Sequence, residues 1–294
     1  MSYAATILIP TCNRPEFITK LVDYLLLNLE VSKTKIVILD GSDEVGKTKN
    51  IAVYKGKPVE YLWFDKTTSY FQRMLSGLEA VETDIVSILG DDDILCPQGF
   101  IESVLFLRDN EDFSIAHGQY IGFSDFAGIQ FNKTYISNSV CSENALSRLF
   151  DFFSSYTAPT YYAVTRTKYL IKSFQLMIEN DVSFNDHFSA ETLISAIPLI
   201  NGKLKRLNSF YQARNFNPAS EGHYVIYAKY VASPEFSIKY QKVKNSLMDQ
   251  LASVIDINEN IVSDALDYTF SAFWGQRIAT NEMRSRFQAL NIND

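Results

Sequence analysis

Cysteine is scarce: three in 294 residues, Cys12, Cys96 and Cys141, an odd number at wide spacings that matches no zinc pattern and suits a reducing compartment. No apolar stretch runs ~18 residues without a charge, so none reads as a bilayer span, although peripheral membrane association stays open. Met1-Ser-Tyr-Ala-Ala lacks the basic start and apolar core of a signal peptide, and a cytoplasmic protein is expected. Basic residues are in deficit, 27 Lys and Arg against 34 Asp and Glu, for a formal charge of −7. Without clustered cations the chain is a poor general binder of nucleic acid. Low-complexity tracts, internal repeats and Pro/Gly-rich linkers are missing as well, so boundaries must come from changes of pattern. What remains is an ordinary globular composition, 47% hydrophobic and 21% charged, with 21 Phe and 17 Tyr to fill packed layers or a concave ligand surface.

The first half alternates short apolar runs with helical periodicity. Ala4 to Pro10, Lys35 to Asp40, Val59 to Phe64 and Asp84 to Gly90 read as buried parallel strands bounded by turn residues. Phe17 to Leu29 and Tyr70 to Val81 repeat apolar residues at helical spacing. After Asp40, Ile51 to Tyr54 is too short and too near Gly56 and Pro58 to predict a helix. Such alternation predicts an α/β fold, a mostly parallel sheet flanked by helices. Beyond Asp93 the order is a helix from Pro97 to about Leu107, apolar segments at Ser114 to Gln119 and Tyr161 to Thr165 around a helix from Glu143 to Phe153, a helix from Asp186 to Leu199, and a strand from Gly202 to Tyr211. From Phe236 on the pattern is helical, which divides the chain into 1–225 and a C-terminal helical extension, 226–294, able to pack on the core or to pair two copies as a homodimer.

The strongest chemical signal is Gly90-Asp91-Asp92-Asp93, three carboxylates directly after a buried strand. Parallel strands point their carboxyl ends at the ligand crevice of an open α/β sheet. Carboxylates there suit a hard divalent cation, Mg²⁺ or Mn²⁺, that shares its positions with phosphate oxygens. Strand alternation predicts Asp91 and Asp93 on one side and Asp92 on the other; a solvated acidic turn capping the next helix is the plainer alternative.

Strand one ends in Pro10-Thr11-Cys12-Asn13-Arg14, and strand two in Asp40-Gly41-Ser42. With Asp91-Asp92-Asp93 as a D-x-D motif, these three motifs in this order resemble the GT-A (Rossmann-like) nucleotide-sugar glycosyltransferases of the family 2 type, over roughly Ala4 to Arg214. The resemblance implies that Pro10, Thr11, Asn13, Arg14, Asp40, Ser42, Arg73, Asp91, Asp92 and Arg214 bind a nucleotide sugar, most simply a UDP-sugar, Asp40 accepting from a ring N–H of the base. It implies that Asp93, with Asp91 and a late His223, holds Mn²⁺ or Mg²⁺. It further implies an inverting transfer to a hydroxyl of a saccharide or lipid-linked glycan in polysaccharide biosynthesis. The resemblance places the general base in an acidic pair at a helix start, about eleven residues before a strand-opening Gly, which counted back from Gly202 implies Glu191; Asp186 is its rival, although its position suits helix capping. Thr67-Thr68-Ser69-Tyr70 replaces the family's Gly/Asn-rich segment. His117 and His187 have no evident partner, and Tyr156, Tyr161 and Tyr162 suit either acceptor stacking or core packing.

Two other readings compete. Gly41 to Thr48 matches the P-loop pattern G-x-x-x-x-G-K-[ST] of an NTPase, against which stand Asp43 and Glu44 in a loop meant for phosphate. A sugar-binding module without catalysis is the other. Substitution discriminates: Lys47→Ala abolishes turnover in a P-loop enzyme, whereas a glycosyltransferase keeps it and loses it with Asp93→Ala, read by nucleoside diphosphate release.

Overall fold

The computed structural model describes residues 4–124, 130–135, 137–156, 160–184, 186–215, 230–256 and 258–290. Its first half is β1 (Ala5–Thr11), α1 (Pro15–Asn28), β2 (Thr34–Asp40), α2 (Glu44–Tyr54), β3 (Glu60–Trp63), α3 (Tyr70–Glu79) and β4 (Ile85–Ile88). These four strands are parallel in the order β3-β2-β1-β4. β1 is buried on both faces, Ile7 and Ile9 toward α1 and Leu8 toward α3, which is why it reads as a continuous apolar run.

The second half turns the sheet antiparallel. It comprises β5 (Ile94–Leu95), α4 (Pro97–Asp109), β6 (Phe113–Ser124), β7 (Gln130–Tyr135), α5 (Ala145–Ser154), a 3₁₀ turn (Thr160–Tyr162), β8 (Val164–Arg166), α6 (Thr167–Glu179), α7 (His187–Asn201) and β9 (Lys203–Asn215). β8 runs antiparallel to both β4 and β6, β9 pairs parallel to β6, and β5 pairs antiparallel to the far end of β9. The path β3-β2-β1-β4-β8-β6-β9-β5 is one sheet, with β7 off it beside β6.

Four elements depart from expectation, β7 among them as a strand the sequence did not announce. A helix does form after Asp40: Asp43 caps α2 by accepting from the Gly46 N–H at 2.9 Å, and Asn50 and Tyr54 bury its inner face before Gly56 reverses the chain at φ 80°. β5 is two residues long, below any periodicity signal. α6 carries Leu170, Phe174 and Met177 into the core, a stripe masked by the adjoining strand.

Two apolar layers flank the sheet. One joins Ile7, Ile9 and Ile38 to α1 and to Phe100 and Leu107 of α4. The other joins Leu8, Leu39 and Ile88 to α3, α5, α6 and α7, and continues into α8 (Pro234–Ala252) and α9 (Glu259–Leu290). Leu247, Leu251, Leu266, Phe270 and Phe273 of these last helices bury against the same cluster as Phe153, Phe188 and Leu193, so the helical tail packs on the core.

α4 lies close on β9 because Gly99 has no side chain: a Cβ there would stand 2.1 Å from the Phe210 carbonyl oxygen. Gly99→Ala must push helix from strand, and urea unfolding should show a loss of about 1–3 kcal/mol.

Candidate active site

The carboxyl ends of β1, β2 and β4 meet at one edge of the sheet, and the segment after β4 brings three acids to it. Here the chain has left the strand, so alternation no longer applies. Asp91 and Asp92 both face Arg14, whose guanidinium reaches Asp91 Oδ1 at 2.8 Å and Asp92 Oδ2 at 2.7 Å. Asp93 turns the other way, to the end of β9. Its Oδ2 accepts from Gln212 Nε2 at 2.8 Å and its Oδ1 from the Asn215 N–H at 2.9 Å. Arg214 Nε stands 3.9 Å from Asp93, a charge neighbour rather than a hydrogen bond, with its guanidinium 4.5 Å over the Tyr162 ring. The pairing of β5 with β9 makes this possible, since Ile94 opposite Ala213 and Leu95 opposite Gln212 set the neighbouring Asp93 against β9.

β1 supplies the other partners. Thr11 Oγ1 donates to Asp91 Oδ2 at 2.8 Å. Asn13, at φ 54°, reverses the chain so that Arg14 points back at the acids. Its N–H donates to Ser42 Oγ at 2.7 Å and its Oδ1 accepts from the Asp43 N–H at 3.0 Å, tying the two strand ends together. Pro10 stands one residue before Thr11, half-buried. Arg73, on α3 and held by the Ser69/Gln72 capping box at its start, is buried and donates to the Thr11 carbonyl at 3.2 Å. A Cβ on Gly41 would fall 1.9 Å from Arg73 Nη1, so any larger residue there must displace this guanidinium.

Asp40 departs from its expected role. It is 0% exposed, and its oxygens accept from the Ser42 N–H at 2.7 Å, Asn50 Nδ2 at 2.7 Å and Tyr61 OH at 2.6 Å. In this arrangement it shapes the turn and offers no surface to a base. The P-loop reading fails in the same place. Gly46, Lys47 and Thr48 are helical, and the N–H groups of Ser42, Asp43, Gly46 and Lys47 are already bonded to Asp40, Asn13 and Asp43. Lys47 Nζ rests 3.5 Å from the Trp63 ring centroid.

Glu191 lies on α7, where Tyr156 OH donates to its Oε2 at 2.9 Å and Arg277 Nη2 at 2.6 Å. Asp186 caps α7, accepting from the Ser189 N–H at 3.1 Å, and also takes Tyr230 OH and Lys239, so its carboxylate is committed to holding helix ends. His223 lies outside the described residues. His117 is buried on β6 beside the Gly118 carbonyl, and burial lowers its pKa to about 4, which keeps it neutral. Tyr161 bonds Tyr70, and Tyr162 supports Arg214. Sequence reasoning missed Gln212, Asn215, Asn50, Tyr61 and Arg277; of these only Gln212 carried a signal, its spacing of two from Arg214 placing both on one face of a strand.

Oxygen donors of this kind are right for a hard cation, but among the described residues no three His, Cys, Asp or Glu side chains converge on one point. The fit is therefore that of a partial ligand set, to be completed by a diphosphate. Burial pushes Asp91 and Asp93 each up to about 6, outweighing Arg14 and Thr11 for the first and Arg214, Asn215 and Gln212 for the second.

A parallel sheet with acids at its carboxyl edge, extended by antiparallel strands that close over them, defines the GT-A class of nucleotide-sugar glycosyltransferases. The profile of glycosyl transferase family 2 matches residues 6–172, more than half the chain, and the chain belongs to that family. No curated protein matches it by sequence. Among solved structures it is similar to S. aureus TarS 1–349, with a TM-score of 0.60 at 13% identity over 92% of this chain and 72% of that one. The UDP-GlcNAc complex of the same protein gives 0.61 at 13% over 92% and 72%. Its UDP complex gives 0.59 at 14% over 90% and 70%. At this identity the likeness shows the fold.

The raised acids have a measurable consequence. A carboxyl with a folded pKa above its unfolded value contributes stability that is complete below pH ~4 and is lost as pH rises through about 6. Asp91→Asn can donate to Thr11 Oγ1 and still accept from Arg14. Urea unfolding should show its stability relative to wild type increasing between pH 4 and 6 and then levelling, by at most about 3 kcal/mol.

Proposed function

We propose that the chain moves a sugar from a nucleotide sugar, a UDP-sugar first, to a hydroxyl of a saccharide or lipid-linked glycan, with inversion, in polysaccharide biosynthesis. The observation that carries this reading is the Asp91-Asp92-Asp93 cluster held at the crevice by Arg14, Thr11 and the end of β9. Asp93 and Asp91 would hold Mn²⁺ or Mg²⁺ together with the donor's diphosphate. Bound there, the cation offsets the charge that develops on the leaving nucleoside diphosphate.

The chain's own residues supply the rest. Arg14 and Arg214 keep the acids from repelling one another and present fixed positive charge beside the diphosphate. Arg73 fixes the Thr11 carbonyl and with it the floor of the nucleotide site. Glu191 Oε1 takes the proton of the acceptor hydroxyl as that oxygen bonds the anomeric carbon, and the bond from that carbon to the diphosphate oxygen breaks with its electron pair leaving on the diphosphate. A cytoplasmic setting fits cysteines that stand outside any disulfide and the fact that no helix among the described residues is long and apolar enough to cross a membrane.

Thermal shift tests this without knowledge of the acceptor. UDP, GDP, CDP and dTDP are each added with and without Mn²⁺; one of them should raise the melting temperature only with the metal, the rise reflecting the roughly 2.7 kcal/mol of stabilisation that ligand at 100 times its Kd contributes. No shift with any of them overturns the reading. A panel of sugars on the preferred nucleotide, scored by nucleoside diphosphate release in transfer to water, then names the donor.

A further inference from the structure

We propose that Arg277 and Tyr156 are positioning residues for Glu191, and thus that the C-terminal helix α9 completes the acceptor side of the catalytic site. The inference rests on Glu191 being the base. Both donors go to the same oxygen: Tyr156 OH and Arg277 Nη2 meet Oε2, whereas Oε1 receives no donor among the described residues. An arginine paired with a carboxylate for its own sake favours two parallel bonds to two oxygens. The geometry here instead pins the carboxylate by one oxygen and leaves the other to accept a proton.

The clamp is itself held. The Arg277 guanidinium lies 4.6 Å over the Tyr156 ring and 5.0 Å over Phe273, and the Tyr156 ring packs edge-on against Phe273 at 5.1 Å. Glu191 and Arg277 are 29% and 20% exposed, a setting in which an ion pair adds little to stability. Docking of α9 is accomplished by Leu266, Phe270 and Phe273, and the tail has no packing need for a charge aimed at α7. The same face of α7 leads to the acids: Ser195, one turn on from Glu191, meets Thr160 at 2.9 Å, and Thr160 opens the turn ending in Tyr162, the platform under Arg214.

The test uses the full chain and the nucleotide sugar chosen by the panel. Arg277→Met should lower kcat about 10- to 100-fold, as loss of orientation does, with KM for the nucleotide sugar within about twofold of wild type and the nucleotide-dependent thermal shift intact. Arg277→Lys should recover most of the rate. Unchanged kcat in Arg277→Met, or parallel loss of kcat and of the nucleotide-dependent shift, overturns the inference. If the Met variant is too unstable to purify, Tyr156→Phe carries the same test: a fall in kcat at constant KM supports the inference and a wild-type kcat overturns it. Glu191→Gln separates the two levels. If it retains wild-type kcat, the base assignment fails; if it is inactive while Arg277→Met is fully active, only the positioning role fails.

Discussion

Three consecutive carboxylates cannot be buried at one point without counter-charge, and the architecture around the crevice is organised to supply it. Asp91 and Asp93 are 5% and 6% exposed, a placement that burial alone opposes strongly. The remedy comes from opposite ends of the chain. Arg14 forks across Asp91 and Asp92 from the turn after β1, while Gln212 and Arg214 approach Asp93 from the last strand. Each remedy imposes a backbone requirement: a left-handed Asn13 for the first, and a two-residue β5 annealed to β9 for the second.

These requirements couple the acid cluster to the turn after β2. Thr11 touches both, with its hydroxyl on Asp91 and its carbonyl accepting from Arg73 and from the Gly41 N–H. Asn13 links to Ser42 and Asp43, and Ser42 in turn to Asp40, so the buried Asp40 network sets the height of the β1 loop that aims Arg14. The crevice is one connected polar network, in which disturbance of either strand end is felt at the acids.

What could be read beforehand followed from local signals. β1, β2 and β4 are buried but for Pro10 and Lys35, so their sequences are short apolar runs, and the acids follow the last of them in plain view. α2 was not legible because its stability comes from the Asp43 cap and buried Asn50 rather than from an apolar stripe. Asp40 looked like a ligand-facing carboxylate because nothing local reveals that Asn50 and Tyr61 close over it. The split of Asp93 from Asp91 and Asp92 depends on a strand more than a hundred residues away, and the contact of α9 with Glu191 on tertiary packing of a helix whose own pattern looks merely amphipathic. The same blindness hid why Gly41 to Thr48 is a capped turn running into a helix rather than a phosphate loop.

The pairing of β5 with β9 also fixes an order of events. Asp93 waits for partners 119 and 122 residues downstream, whereas Asp91 finds Thr11 and Arg14 already made. During synthesis the first four strands can assemble with two acids neutralised and the third exposed to water, and contacts of such long sequence separation form late. The β9 side of the crevice is therefore complete only when the last strand seats, and the placement of its third acid depends on the whole fold.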